Sequence, residues 1–582
     1  MAAPRILVVG GGMAGLMAAV RIAEQGHPVD LFSIVPVRRS HTVCAQGGIN
    51  GAVNTRAEGD SPLKHFEETI VGGDFLANQP PVRAMCEAAP SLIYLFDRMG
   101  VMFNRTPEGF LDFRSAGGTK FARVVYAGGS TGQQMLYALD EQVRRYEVEG
   151  PVRKYEGWEF LSAVLDSNGS CRGITALDLR SMQVQGFPAA AVILATGGYG
   201  AIFGKGTIST ICTGSAASAV YQQGAVIANG EFVQVHPTAI PGEDKYRLIS
   251  ETVRGDGGRL WTYRDGKPWY FLEEWYPAYG NLVPRDIATR AIYKVVHELG
   301  LGVNGQPMVY LDISHIDPER LKASLGSILE IYEKFMGEDP RKVPMRVFPA
   351  VHYTMGGLWV DSDQMTSLPG LFAVGECEFQ YHGANRLGGN SLLSCLHGGM
   401  VAGRTVVEYV EGRRALPDVT REMEADRARQ ESLNEALFRG EGRENPYRLY
   451  DELGEWMRAR VTVVRRNAEL HATLDKVRGL RERARDLQLA DRGRWTNPAL
   501  PFARQLRNML ELALVVVQGA LERNESRGAH YKPEFPERRD EEWLKTTRAT
   551  YHPDGPKLSY EAVDTSLLTP RPRRYEMAEG KG

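Results

Sequence analysis

Residues 6–26, ILVVGGGMAGLMAAVRIAEQG, read as a buried β-branched strand, a glycine turn and a helix ending near Gly26. Gly10, Gly12 and Gly15 fall in G-x-G-x-x-G spacing. In such a turn the first glycine permits a tight reversal, the second lets the backbone approach a pyrophosphate, and the third lets the helix pack closely on the strand. The helix N-terminus then faces the anion. The stretch predicts the start of a dinucleotide-binding domain.

The next strand, HPVDLFSIV (27–35), lacks an acid at its end for the ribose hydroxyls: Ser33 stands there, and Asp30 comes too early. A hydroxyl can bond a ribose but discriminates poorly between nucleotides, so FAD versus NAD is decided elsewhere. AAAVILATGGYG (189–200) is a second buried strand running into Thr196-Gly197-Gly198, and LPGLFAVGECEF (368–379) a third, ending at Gly375-Glu376. Each alone also reads as a plain strand with a glycine turn. With the N-terminal turn they favour a flavoprotein whose FAD runs along the sheet from Gly12 to Glu376.

The third strand comes so late that the FAD-binding domain is split. The expected fold class is α/β: a split Rossmann-like FAD-binding domain (1–235 and 352–410) with an inserted α+β capping domain (236–351), then a helical domain (411–535) and a C-terminal extension (536–582). The aromatic stretch GDGGRLWTYRDGKPWYFLEEWYPAYG (255–280) reads as cap core. REMEADRARQESLNEALF (421–438) and ELGEWMRARVTVVRRNAELHATLDKVRGLRERARDL (452–487) carry apolar residues at helical spacing among Arg and Glu, which predicts a small helical bundle. The Pro- and Arg-rich tail is expected to wrap back over the FAD-binding domain.

A chain of 582 residues is too long for one core. Its 69 basic and 71 acidic residues form no block of like charge, so nucleic acid is not an expected partner. Six cysteines without a Cys-x-x-Cys pair argue against a disulfide framework, a structural metal site or an iron–sulfur cluster in this chain. Neither a secretory leader nor an apolar run long enough to span a membrane is apparent, so membrane attachment would have to come through a partner.

Six motifs then occur in order: RSHTVCAQGG (39–48), HPT (236–238), SETVRGDGG (250–258), VPRD (283–286), HYTMGG (352–357) and GANRLGGNSLL (383–393). With NESRGAHYKPEFPERRDEEWLKTT (524–547), the chain resembles, nearly end to end, the flavoprotein subunits of succinate dehydrogenase and fumarate reductase. SIVPVRRSHTVCAQGGINGAVNT (33–55) is most similar to the menaquinone-linked Gram-positive type.

The resemblance implies oxidation of succinate to fumarate, or the reverse reaction physiologically, by an FAD covalently bound through His41. It also implies an iron–sulfur subunit as electron acceptor, a membrane-anchor cytochrome b subunit and quinone beyond it, and a peripheral position on the cytoplasmic face of the cell membrane. By motif match His236, Ser250, His352 and Arg386 bind the dicarboxylate, and Arg285, Glu251 and Arg254 carry the proton. Gln46, Gly47, Asn390, Ser391 and Leu392 join Gly10, Gly12, Gly15, Ser33, Thr196, Gly197 and Glu376 as cofactor contacts. The Asn390-Ser391 stretch reads as a helix N-terminus aimed at the flavin, as an ordinary side-chain helix cap, or as both at once. Ala116 stands where relatives commonly carry a phenylalanine, and is expected to open space beside the dicarboxylate. L-Aspartate oxidase shares the fold but normally lacks the histidine at 41. A flavin-binding electron-transfer or structural subunit without catalysis is the reading from another class.

Overall fold

The computed structural model describes residues 5–413 and 418–575. Its central sheet has five parallel strands: β1 (Ile6–Val9), β2 (Val29–Ser33), β3 (Val152–Glu156), β4 (Ala191–Leu194) and, far along the chain, β7 (Leu371–Ala373), in the order β7-β4-β1-β2-β3. Strands β1 and β4 are buried along their whole length, as expected for a parallel sheet covered on both faces. Helix α1 (Met13–Glu24) follows β1 and packs against α3 (Asn390–Glu411).

Sterics account for the glycine turn. A Cβ on Gly10, where φ is +125°, would lie 2.1 Å from the Ala195 carbonyl oxygen of the neighbouring crossing. One on Gly15 would lie 1.9 Å from the Gly10 carbonyl oxygen. Gly10 therefore permits the strand-to-strand approach and Gly15 the helix-to-strand approach.

Between β4 and β7 the chain departs through β5 (Val233–Ile240) and returns through β6 (Met345–Thr354), which pair antiparallel. These two strands belong to a six-stranded sheet that includes Arg259–Arg264 and Val309–Asp312. Trp269, Phe271 and Trp275 from the aromatic stretch fill the core beneath it, with Leu325 and Tyr332 of helix Pro318–Met336. Helix α2 (Arg285–Tyr293) packs against β5.

Helices Thr420–Arg439, Pro446–Arg460, Asn467–Arg483 and Ala499–Glu522 follow, the last burying Leu506, Leu510, Leu514 and Val517 in the main core. The expected tail wrap is present as far as the structure describes it. Strands Lys545–Thr550 and Lys557–Ala562 extend a small sheet through Ile227–Ala228, and the Leu567 and Leu568 N–H groups donate to Gln79 Oε1.

The NESRGAH segment, which carries no catalytic logic as sequence, is a buried ionic staple. Arg523 donates to Glu231 Oε1 and Glu525 Oε1, each at 2.9 Å. Arg527 donates to Glu525, to Asp540 and to the Asp74 carbonyl. The charges compensate one another, and removing one member of such a set costs about 3–5 kcal/mol.

Candidate active site

A long cleft opens at the C-terminal ends of the parallel strands, the expected place for a ligand on such a sheet. Gly10, Gly12, Ser33, His41, Gln46, Gly47, Thr196, Gly197, Glu376, Ser391 and Leu392 line one stretch of it; His236, Ser250, Glu251, Arg285, His352 and Arg386 line the other. Gly15, Arg254 and Asn390 are not on the wall. Gly15 sits under the turn, and Arg254 stands behind Glu251.

The polar end is built from crossings of elements. His236 on β5 and His352 on β6 face each other with ring centroids 5.0 Å apart. Thr238 N–H donates to His236 Nδ1 at 3.2 Å, which places the neutral ring's proton on Nε2. That Nε2 is buried with no partner among the described residues. Burial, reinforced by Arg285, Arg254 and Arg386, holds the His236 pKa well below the usual histidine range. Burial does the same for His352, helped by His236 and Arg285. Both rings are therefore neutral hydrogen-bonding groups, and positive charge at this end comes from arginine.

Arg285 opens α2, with Pro284 at the cap position. Its Nη2 donates to Glu251 Oε2 at 3.0 Å, and Arg254 Nη2 donates to Glu251 Oε1 at 3.0 Å. Burial would raise the Glu251 pKa, but Arg285 and Arg254 outweigh it and hold the carboxyl below its ordinary value. Three groups thus form one continuous chain of charge-assisted hydrogen bonds.

Gln234 joins the two arginines of the wall and was not singled out in the sequence. Its Oε1 accepts from Arg285 Nη1 at 2.9 Å and from Arg386 Nη2 at 3.0 Å. Its Nε2 donates to Asn385 Oδ1 and to the Arg386 carbonyl. The Arg386 guanidinium lies 4.5 Å from the Tyr353 ring centroid. Burial, with Arg285 next, lowers the Arg386 pKa to about 9. Two buried guanidiniums sharing one neutral acceptor leave positive charge uncompensated, a site suited to an anion.

At the other stretch, Ser209 N–H donates to His41 Nδ1 at 3.3 Å. Burial, with Lys245 nearby, lowers the His41 pKa to about 4, so the imidazole is neutral and its protonated nitrogen is Nε2. Glu376 accepts from Thr354 N–H at 3.0 Å, and burial raises its pKa to about 7.

One expectation needs correction. The cap position of α3 belongs to Gly389, at φ +83°, with no side-chain cap hydrogen bond. The ordinary Asn-Ser cap is therefore absent, and Asn390 instead turns its amide into a buried network with Asn50, His65 and Thr69. Ser33 does reach the cleft, but its hydroxyl donates to the Val35 carbonyl at 2.6 Å, leaving it only acceptor capacity toward a ligand. Ala116 is buried beside Gly388, its Cβ 3.4 Å from where a Cβ on that glycine would lie.

The residues present fit a flavin dinucleotide. The glycine turn leaves a cradle in which a Cβ on Gly12 would meet no protein atom closer than 3.4 Å. Along the same wall Gln46 Oε1 and Thr196 Oγ1 are buried without hydrogen-bond partners among the described residues.

Comparison with known proteins agrees in extent and kind. The FAD binding domain family matches residues 5–392, and the fumarate reductase flavoprotein C-terminal family matches 450–575. The chain is 63% identical over 579 residues to the succinate dehydrogenase flavoprotein subunit of Bacillus subtilis, covering 99% of each. It is 32% identical to the fumarate reductase flavoprotein subunit of Haemophilus influenzae, over 98% of this chain and 96% of that one. Among solved structures, the FrdA subunit of E. coli quinol fumarate reductase superimposes with a TM-score of 0.92 at 31% identity, covering 98% of this chain and 99% of that one. Mycobacterium smegmatis Sdh1 in complex with UQ1 gives 0.83 at 32% identity, covering 98% and 95%.

Proposed function

Because the chain belongs to the succinate dehydrogenase and fumarate reductase flavoprotein family, we propose that its cleft oxidises succinate to fumarate on an FAD held covalently by His41. The chain is an FAD-dependent oxidoreductase. The observation that carries the reading of the site is the Gln234 bridge: it holds Arg285 and Arg386 together, under-neutralised, at the end of a cleft that begins at the glycine turn.

When bound, the flavin supplies a two-electron acceptor for the hydride that leaves one succinate carbon. This chain's residues do the rest. Arg386 and Arg285 offer positive charge to the two carboxylates, while His236 Nε2, His352 and Ser250 offer directed hydrogen bonds. Arg285 takes the proton from the neighbouring carbon. A guanidinium is a poor base in isolation. In the direction of fumarate reduction, however, it donates to a developing carbanion, and microscopic reversibility makes it the acceptor in oxidation. Glu251, kept ionised between Arg285 and Arg254, is placed to exchange that proton onward. Proton transfer of this kind contributes roughly 10²–10⁴ in rate.

Thr196, Gly197, Gly47, Gln46, Glu376, Ser391 and Leu392 line the stretch that would hold the flavin. The positive end of α3 would stabilise an anionic reduced ring. His41 is suited to be the tether because it is neutral and its Nδ1 is already occupied by Ser209 N–H; bonding would be through Nε2, with loss of the proton that Nε2 carries. Attachment at His41 would raise the flavin potential toward that of the succinate couple.

Electrons pass to an iron–sulfur subunit, and through it to a membrane-anchor cytochrome b subunit and quinone, with this chain held peripherally at the cytoplasmic face of the cell membrane. Among the described residues no helix is long and apolar enough to cross a membrane. Physiological fumarate reduction uses the same groups in reverse.

The covalent assignment is tested on denatured, acid-treated holoenzyme: a fluorescent band should migrate with the 64.5 kDa chain. His41→Ser should abolish the band, keep exchangeable FAD with some fumarate reduction, and nearly abolish succinate oxidation. A band that persists in the variant would place the bond elsewhere.

A further inference from the structure

The strand that opens the nucleotide end of the cleft carries no usable acid. Asp30 is spent on Arg5, at 2.6 Å, and Ser33 bonds Val35. The neighbouring crossing supplies one. Gly157 N–H donates to the Ser33 carbonyl at 2.8 Å, and two residues later Glu159, on strand Trp158–Leu165, lines the cleft between Trp158 and Phe160. Glu159 is 4% exposed. Its Oε1 accepts from Gln505 Nε2 at 2.7 Å, while its Oε2 is buried without a partner among the described residues. Arg504 stands near, but its guanidinium donates to Asn434 and to the Gln430 carbonyl.

We propose that Glu159 Oε2 accepts a hydrogen bond from the adenosine half of the bound dinucleotide, replacing the missing acid of β2, with Gln505 of the helical domain fixing the carboxylate's orientation. The inference rests on the reading that this cleft takes FAD. A half-satisfied buried carboxylate is costly, and adenosine presents only two kinds of donor to it, the ribose hydroxyls and the exocyclic amine. Burial raises the Glu159 pKa to about 7, against the opposing pull of Gln505 and Arg504. The assignment also makes helix Ala499–Glu522 part of the nucleotide site, since Gln505 sits in its second turn.

The test uses the full chain in a His41→Ser background, where flavin is exchangeable, titrated by fluorescence quenching with FAD and with FMN, which lacks adenosine. Glu159→Gln keeps the shape and the Gln505 contact but turns an amide donor toward a donor. It should weaken FAD at least tenfold, leave FMN unchanged, and leave the melting temperature of the apo form unchanged. Flavin hypoxanthine dinucleotide, whose base has a carbonyl in place of the amine, identifies the donor. If the amine is bound, the parent holds this analogue as weakly as the variant holds FAD; if a hydroxyl is bound, the variant weakens both dinucleotides equally. Unchanged FAD affinity in Glu159→Gln, or equal losses for FAD and FMN, would overturn the assignment. Failure of the parent to bind FAD would overturn the flavin reading, and this inference with it.

Discussion

Arg573 of the C-terminal extension grips Asp286, the residue beside Arg285, through two hydrogen bonds of 2.5 and 3.0 Å. Asp286 is also held by Arg290 at 3.1 Å, one turn further along α2. The tail thereby anchors the start of the helix that delivers Arg285. Arg573→Ala should lower kcat/KM for succinate by about ten- to a hundredfold, the scale expected when a reacting group is misplaced by about 1 Å. Flavin content should be unchanged. Steady-state dye reduction with parallel flavin quantification checks this, and unaltered kinetics would show that α2 holds its position without the tail.

Gln234 must be neutral to do what the geometry asks of it. Gln234→Leu removes the acceptor shared by Arg285 and Arg386 and should raise KM for succinate about tenfold. Gln234→Glu should raise it further, because a carboxylate fixed between the two guanidiniums competes with the substrate's own carboxylate. If the Glu variant bound substrate as well as the parent, the two arginines would not be the anion clamp.

The pH dependence of dicarboxylate binding has a definite sign. Burial and Arg285 lower the Arg386 pKa to about 9, so the guanidinium is charged below that pH and increasingly neutral above it. An anion binds the charged form. Inhibition by a non-reacting dicarboxylate should therefore be flat near neutrality and weaken as pH rises through about 9, by at most tenfold per pH unit. Arg386→Lys, whose cation is compact and lacks the planar fork, should bind more weakly throughout and show a different profile.

The ionic staple predicts a stability effect without a site effect. Arg527→Leu leaves buried Glu525 with Arg523 as its one ion-pair partner among the described residues and should destabilise the fold by about 3–5 kcal/mol. Thermal unfolding monitored by circular dichroism reads this directly. At temperatures where the variant remains folded, its KM for succinate should be normal.

These residues also show where sequence reading reaches and where it stops. The glycine turn was legible because its constraint is local: a Cβ at Gly10 or Gly15 collides with backbone only a strand away. Arg285 was legible through its VPRD motif. Gln234 and Glu159 were not, because each is a strand residue whose partners come from remote crossings, Arg285 and Arg386 for one and Gln505 for the other. Asn390 was misread as a possible cap because Asn followed by Ser favours that role in isolation. A glycine at positive φ had already taken the position, and a buried network claimed the amide.

The most direct test of the proposed chemistry is turnover of Arg285→Gln, assayed as succinate-driven dye reduction and as fumarate reduction, on protein whose covalent FAD is quantified. Glutamine keeps the polar contact toward Gln234 and Glu251 but cannot shuttle a proton or supply the charge. Turnover should vanish in both directions while FAD stays attached. Near-normal turnover in either direction would contradict the account and show that the proton passes through another residue.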